Sequence, residues 1–310
     1  MAAKWKALFA GAILGAICTV LLRPLARPSR ALLTRLAHFA GREPKADWVD
    51  PQHAAPPSTK SVKFFSQAAQ QDVSYLIYLP PGYDTEPEKR YPVIYWLHSR
   101  GGTQQEGAYT FVPRMDSAIR SGLAPPVIIV LPNGIPFIRW SDTSDGKLPV
   151  ETVFIHDLIP YVDRTYRTLA TRRYRAIEGF SMGGFGAAHL AFKYPEVFGT
   201  IALDSAALFE ETSDDRYLEV NSPWNLAVRN AAVIREGTVI RIAVGRDDSL
   251  LDLNRDFHLL LQSLGISHEF FAFPGVGHNG EDLYRSLGPR LASFYRDAFA
   301  DDRPTDPASR

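Results

Sequence analysis

Short apolar runs recur along the chain from about residue 74, each closed by glycine, proline or a charged residue. Seven read as strands: residues 74–79, 92–97, 127–131, 174–178, 200–203, 239–244 and 269–273. Several, such as PVIYWL over 92–97, are apolar without a break. Alternation marks a strand with one wet face, whereas an unbroken run marks one buried on both faces. Helical spacing fills the intervals. Leu250, Leu253, Phe257, Leu260, Leu261 and Leu264 share one face and stop at Gly265. Residues 150–166 read as another helix, with Pro160 predicted to bend it. Strand alternating with helix predicts an α/β protein, a mostly parallel central sheet with helices on both faces. Residues 206–237 break the rhythm. They are long and mixed, with Trp224 and Asp214-Asp215, and read as a lid or cap over a site.

The N-terminus has a different pattern. Lys4 and Lys6 precede an apolar run over 7–22, Arg23, Arg27, Arg30, Arg35 and Arg42 follow, and no acidic residue comes before Glu43. The run is shorter than the ~20 residues of a spanning helix, yet long enough for a signal-peptide core or a tilted anchor with snorkelling flanks. A small-x-small cleavage site is missing after it, and Ile17 is too large for a lipoprotein site before Cys18. Residues 1–42 are therefore expected to be an uncleaved membrane anchor, which makes the protein exported or membrane-anchored. A signal segment and an Arg-rich organelle transit peptide are the rivals, and basic residues on both flanks leave the orientation open. Residues 43–61, with Pro44, Pro51, Pro56 and Pro57, read as a linker, 62–300 as the catalytic domain and 301–310 as a disordered tail.

Composition narrows the class. The 310 residues are 45% hydrophobic and 22% charged, with 34 basic and 34 acidic residues. That suits one sizeable core and supplies no basic field for nucleic acid. A lone cysteine, Cys18, excludes an internal disulfide framework and a cysteine-based metal site. No histidine pair has zinc-ligand spacing with an acid between, so neither metal nor cofactor is expected.

The chemistry is carried by Gly179-Phe180-Ser181-Met182-Gly183, followed by Gly184. A glycine-rich turn with a solvated serine would show the same five residues. What separates the two is context: a strand-like run leads in and a helix-like run over 185–194 leads out, as in a nucleophile elbow. Such a turn crowds the backbone, and flanking glycines relieve it. A serine needs a base, and the base an orienting carboxylate, which in α/β-hydrolases follow in the order Ser, acid, His. The run 239–244 ends in Gly245-Arg246-Asp247-Asp248, and 269–273 ends in Pro274-Gly275-Val276-Gly277-His278. Ser181, Asp248 and His278 thus fall in order at strand ends, with Asp247 and Asp204 as competing acids. His98 precedes the serine, His156, His189 and His258 sit in helix-like runs, and His268 begins a strand. The oxyanion needs two preorganised N–H donors. Met182 directly follows the nucleophile, and Arg100 lies in the loop Ser99-Arg100-Gly101-Gly102 after a buried strand.

Tyr78-Leu79-Pro80-Pro81-Gly82-Tyr83-Asp84, then Tyr91-Pro92-Val93-Ile94-Tyr95-Trp96-Leu97-His98, then Asp157-Leu158-Ile159-Pro160-Tyr161-Val162 and the Gly-Phe-Ser-Met-Gly-Gly elbow resemble the esterase D and feruloyl-esterase-like branch of the α/β-hydrolases, which also holds mycolyltransferases. The resemblance covers roughly residues 61–299. It implies Ser181 as nucleophile, His278 as base, Asp248 as acid through its Gly-x-x-Asp spacing from Gly245, and Arg100 and Met182 as oxyanion donors. Trp140-Ser141-Asp142 lies where the family often places an aromatic-x-Asp near the cleft, so Trp140 and Asp142 are candidate substrate contacts, with buried packing of Trp140 the alternative. Two departures stand out. Ser99 replaces the usual glycine after Leu-His, and Asn279-Gly280 replaces an Asp and Trp after the catalytic histidine. The expected activity is serine carboxylester hydrolysis through an acyl-enzyme, on acylated sugars or phenolic, feruloyl-type esters. Acyl transfer and a tethered non-catalytic binding module are the alternatives.

Overall fold

The computed structural model describes residues 47–50, 55–135, 138–208 and 221–300. Its frame is an eight-stranded sheet in the order β1-β2-β4-β3-β5-β6-β7-β8. The strands are β1 (Thr59–Ser66), β2 (Gln71–Tyr78), β3 (Val93–Leu97), β4 (Ile128–Pro132), β5 (Arg175–Phe180), β6 (Thr200–Asp204), β7 (Val239–Gly245) and β8 (Glu269–Phe273). β1 and β2 pair antiparallel, as do β2 and β4, and every pair from β4 across to β8 is parallel. The helices are α1 (Gln105–Thr110), α2 (Val112–Arg120), α3 (Val150–Thr152), α4 (Ile159–Thr165), α5 (Met182–Lys193), α6 (Pro223–Arg229), α7 (Ala231–Arg235), α8 (Leu251–Ser263), α9 (Gly280–Leu287) and α10 (Pro289–Ala298). The expected α/β-hydrolase architecture is present.

The unbroken apolar runs are buried on both faces, as their pattern requires. Along β3, Val93, Tyr95 and Leu97 enter one core layer and Ile94 and Trp96 the other. In β4, Ile128 and Val130 face the first layer, Ile129 and Leu131 the second. Each fully buried aliphatic side chain contributes on the order of 1.5–3 kcal/mol.

Three expectations change. The run TKSVKFFS forms β1, missed because it is an antiparallel edge with exposed lysines rather than an apolar run. The linker expected over 43–61 is accordingly shorter: Trp48 is buried in the core, its carbonyl accepts from Ser74 N at 2.9 Å, and β1 begins at Thr59. Pro160 does not simply bend a helix. The chain opens into a π-helical turn, Val153–Leu158, and restarts as α4 with Pro160 in its first turn, where its missing N–H is harmless. Among the described residues no helix is long and apolar enough to cross a membrane. The anchor at 1–42, Cys18 and the tail at 301–310 lie outside the described residues, as does 209–220 of the expected lid.

A charged cluster lies in the second core layer. In register across the sheet, Glu178 of β5 and Arg241 of β7 both pair with Ala202 of β6, and Asp204 follows two positions on. The small side chain of Ala202 lets Arg241 Nη2 reach Glu178 Oε1 at 3.1 Å and Asp204 at 3.1 and 3.2 Å. Tyr284 donates to Asp204 Oδ2 and Tyr295 to Glu178 Oε2. Burial, then the charge of Asp204, holds the Glu178 carboxyl well above its usual range. Removing one partner from such a cluster strands the others without solvent. Arg241→Met is expected to lose about 3–5 kcal/mol of stability, a drop of roughly 10 °C or more in Tm for a domain of this size. A thermal melt within about 3 °C of wild type would show that Arg241 is not needed to compensate the two buried acids.

Candidate active site

The strand order reverses at β3, with β4 on one side and β5 on the other. Loops leaving the C-terminal ends of β3 and β5 therefore part and leave a crevice, the usual ligand position in open α/β sheets. Ser181 sits there, between the end of β5 and the start of α5, at φ 58° and ψ −114°. That is a region non-glycine residues avoid, and its occupancy marks stored backbone strain. The strain is held from outside. Ser181 N–H donates to Asp204 O at 2.9 Å, and Ser181 O accepts from Phe185 N at 3.1 Å and Ala207 N at 2.9 Å. The turn is so tight that a Cβ on Gly179 would lie 2.3 Å from the Gly183 backbone, and one on Gly183 would lie 2.1 Å from Leu97 O.

The three residues expected to act together are brought together. Asp248 is buried at the end of β7, and its Oδ2 faces His278 Nδ1 at 2.9 Å. A carboxylate only accepts, so Nδ1 carries the proton and Nε2 is left to accept from Ser181 Oγ–H at 2.9 Å. Burial raises the Asp248 carboxyl, but the bonds from His278 and from Leu250 N–H outweigh it and leave the group below its ordinary range. It therefore stays ionised. Phe180 stacks on the His278 ring, centroids 4.9 Å apart. Of the competing acids, Asp247 is exposed and Asp204 is committed to Arg241 in the core.

A cavity of about 270 Å³ opens beside Ser181 and His278. Met182, Phe185, Ala207 and Leu250 give it apolar walls, and Arg100, Arg139 and Ser249 a polar part. Both expected oxyanion donors thus border the cavity. Met182 opens α5, where backbone N–H groups lack intrahelical acceptors. The Arg100 loop is braced from behind: Ser99 N–H donates to Glu106 Oε2 at 2.8 Å, and Gly102 N–H to Ser99 O at 3.0 Å. Ser99 is thereby accommodated without positive φ.

The two proposed substrate contacts are structural instead. Trp140 is 1% exposed, donates from Nε1 to His98 O at 3.2 Å and packs on Gly134 and Gly186, so buried packing wins. Asp142 accepts from Thr152 N at 3.0 Å and Thr152 Oγ1 at 2.6 Å, securing the start of the helix after it. His98 is likewise internal. Its Nδ1–H donates to Ser99 O, its Nε2 accepts from Gly134 N, and burial lowers it to about 4, so it remains neutral. His189 pairs with Glu151 at 2.7 Å inside the protein, and His258 with His268 at 2.7 Å. Asn279, one of the departures, caps α9 by accepting from Asp282 N.

Several residues of the site escaped the sequence reading. Phe180 and Phe185 flank the serine but look like ordinary core aromatics. Asn254, fully buried on α8, bonds both backbone groups of Ala206 and Leu250 O, tying the loop after β6 to that after β7. Its only signal is a polar residue on the apolar face of a helix. Arg139 stands between Ile138 and Trp140 and gave none.

The chain matches the family Esterase over residues 66–265, well over half its length. It is similar to an endo-1,4-β-xylanase/feruloyl esterase of Xylanibacter ruminicola, 31% identical over 169 residues, 51% of this chain and 23% of that protein. It is also similar to an esterase of Mycobacterium tuberculosis, 36% identical over 121 residues, 38% of this chain and 25% of that protein. It thus spans about a quarter of the length of these curated relatives. A solved ferulic acid esterase superposes with a TM-score of 0.69 at 28% identity, over 78% of this chain and 98% of that one. The ferulic acid esterase of Anaeromyces mucronatus shares the fold, with a TM-score of 0.60 at 22% identity over 82% of this chain and 93% of that one.

The glycines supply a test of the elbow. Gly183→Ala places a Cβ 2.1 Å from Leu97 O and is expected to abolish esterase activity and fluorophosphonate labelling of Ser181. Gly280→Ala meets nothing nearer than Phe180 at 3.5 Å and is expected to retain both. Equal behaviour of the two purified variants would show that the crossing does not set the position of Ser181.

Proposed function

The chain belongs to the Esterase family, and we propose that it is a serine carboxylester hydrolase with Ser181 as nucleophile, His278 as general base and acid, and Asp248 as its orienting carboxylate. The observation that carries this reading is the unbroken line of contacts from Asp248 Oδ2 through the His278 ring to Ser181 Oγ, each 2.9 Å. Nε2 takes the serine proton as Oγ attacks the ester carbonyl carbon. The tetrahedral oxyanion forms beside the N–H groups of Met182 and Arg100, and preorganised donors there lower the barrier because they need no reorientation as charge develops. His278 Nε2–H then protonates the departing alkoxide, leaving an acyl-enzyme. Water, deprotonated by the same nitrogen, releases the acid and restores Ser181. Asp248 accepts Nδ1–H throughout and stabilises the imidazolium.

On the substrate, support is narrower. With Trp140 buried, stacking of a sugar or phenolic ring on that residue falls away. A feruloyl-type ester then rests on the named relatives alone.

Ser181→Ala is expected to abolish fluorophosphonate labelling and to lower kcat on 4-nitrophenyl acetate by about 10³-fold or more with the melt unchanged. Retained labelling in that variant ends the proposal. Asp248→Asn, which removes the orienting acceptor, is expected to lose about 10⁴-fold in kcat, whereas Asp247→Asn, at an exposed position, stays near wild type. Steady-state kinetics of the two folded variants decides the acid, and near-normal turnover in Asp248→Asn overturns its assignment.

A further inference from the structure

Past the end of β6 the chain leaves the sheet, and its backbone groups need new partners. Ser205 turns the corner at φ 43°, an uncommon conformation for a residue with a Cβ, and is fully buried. Its N–H still reaches Ala243 O of β7 at 2.7 Å. Ala206 comes next and lies over the first turn of α5, where a Cβ on Gly184 would come within 2.7 Å of the Ala206 Cβ. One side chain of α8 takes both backbone groups of Ala206. Ala206 N–H donates to Asn254 Oδ1 at 3.1 Å, and Asn254 Nδ2 donates to Ala206 O at 2.9 Å. Nδ2 also donates to Leu250 O at 2.8 Å. A primary amide carries an acceptor and two donor hydrogens in one plane, and Asn254, fully buried, uses all three.

The two segments joined in this way lie behind Ser181 and behind Asp248. One residue on from Ala206, Ala207 N–H donates to Ser181 O at 2.9 Å and holds the strained serine. On the other side, Leu250 N–H donates to Asp248 Oδ1 at 2.8 Å, while Oδ2 faces His278 Nδ1 at 2.9 Å. Packing alone does not call for an amide here. The neighbours of Asn254 along the buried face of α8, Phe257 and Leu261, are apolar and fully buried, and a polar group in such a place costs desolvation that an apolar one avoids. We infer that Asn254 is a positioning residue of the hydrolytic site: its amide couples the loop behind Ser181 to the turn behind Asp248 and so sets the span that the His278 ring bridges. This rests on the hydrolase reading and adds to it a residue that touches neither substrate nor a reacting atom. Without the amide the two segments can shift independently, and a displacement on the order of 1 Å at the reacting atoms costs about 10²-fold in rate.

Kinetics separate positioning from packing. Asn254→Ala removes all three bonds, and Asn254→Asp keeps the size and the acceptor but loses the amide hydrogens. Both variants are expected to lower kcat on 4-nitrophenyl acetate by about 10²-fold with KM near wild type, and to slow fluorophosphonate labelling of Ser181 in parallel. Leu261→Ala, at a fully buried position of the same helix, is the reference: it is expected to lower Tm by opening a cavity and to leave kcat near wild type. Wild-type kcat in either folded Asn254 variant overturns the inference and leaves the hydrolase standing. A loss carried by KM alone does the same, as does an equal kcat loss in Leu261→Ala, because activity then follows stability. If neither Asn254 variant folds, Asn254 is a residue of the fold and the positioning role is overturned. Wild-type protein with no Ser181-dependent turnover and no labelling overturns the hydrolase reading and this one with it.

Discussion

A backbone crossing with no room for a side chain governs the rest of the molecule. Gly179 meets Gly183, and Gly183 meets Leu97, at distances no Cβ tolerates. That contact forces β5 to turn into α5 within the space of Ser181 and puts the serine in a conformation costing on the order of 1–3 kcal/mol. The sheet supplies the compensation. Ser181 N–H bonds to Asp204 O of the neighbouring strand, and Ala207 N returns a bond to Ser181 O. Each such bond contributes about 1 kcal/mol net, so the strain persists only while β5 and β6 stay in register.

The same neighbouring strand links Ser181 to the core. Asp204 offers its backbone carbonyl to Ser181 and its carboxylate to Arg241 and Tyr284. The charged cluster therefore sits directly beneath the strained turn. A buried cluster of this kind adds little net stability compared with well-packed apolar residues, but it tolerates few alternative arrangements. Its directional bonds fix β5, β6 and β7 against one another, and those strands carry Ser181 and Asp248 at their ends.

The legible part of the sequence was the part governed by local rules. Unbroken apolar runs gave the interior strands because burial on both faces leaves no polar position. Strand, glycine, serine, glycine and helix gave the elbow, and strand-end position together with family spacing gave His278 and Asp248. What escaped was set by tertiary contact. The edge strand Thr59–Ser66 carries lysines because one face is wet. Trp140 has the sequence position of a cleft aromatic, but Gly134 and Gly186 leave space against their backbones for its ring, which draws it into the core. The choice between Asp204 and Asp248 turns on Arg241, a residue with no sequence signal linking it to either. Asn254 matters through Ala206, far away in the chain.

Ser181, Asp248 and His278 sit after strand ends and at a helix start, where sheet register and the glycine crossing fix them and where a small displacement would break two hydrogen bonds at once. The charges at the cavity edge sit on loops after β3 and β4, outside that register. Replacing Arg139 alters the cavity's field without touching the crossing, the charged cluster or the Asp248–His278–Ser181 line. A chain with the same elbow and different loop residues would keep the chemistry and change the ester it accepts. Fold and elbow are therefore shared by esterases of different substrates, and the ester accepted depends on the loop side chains around the cavity.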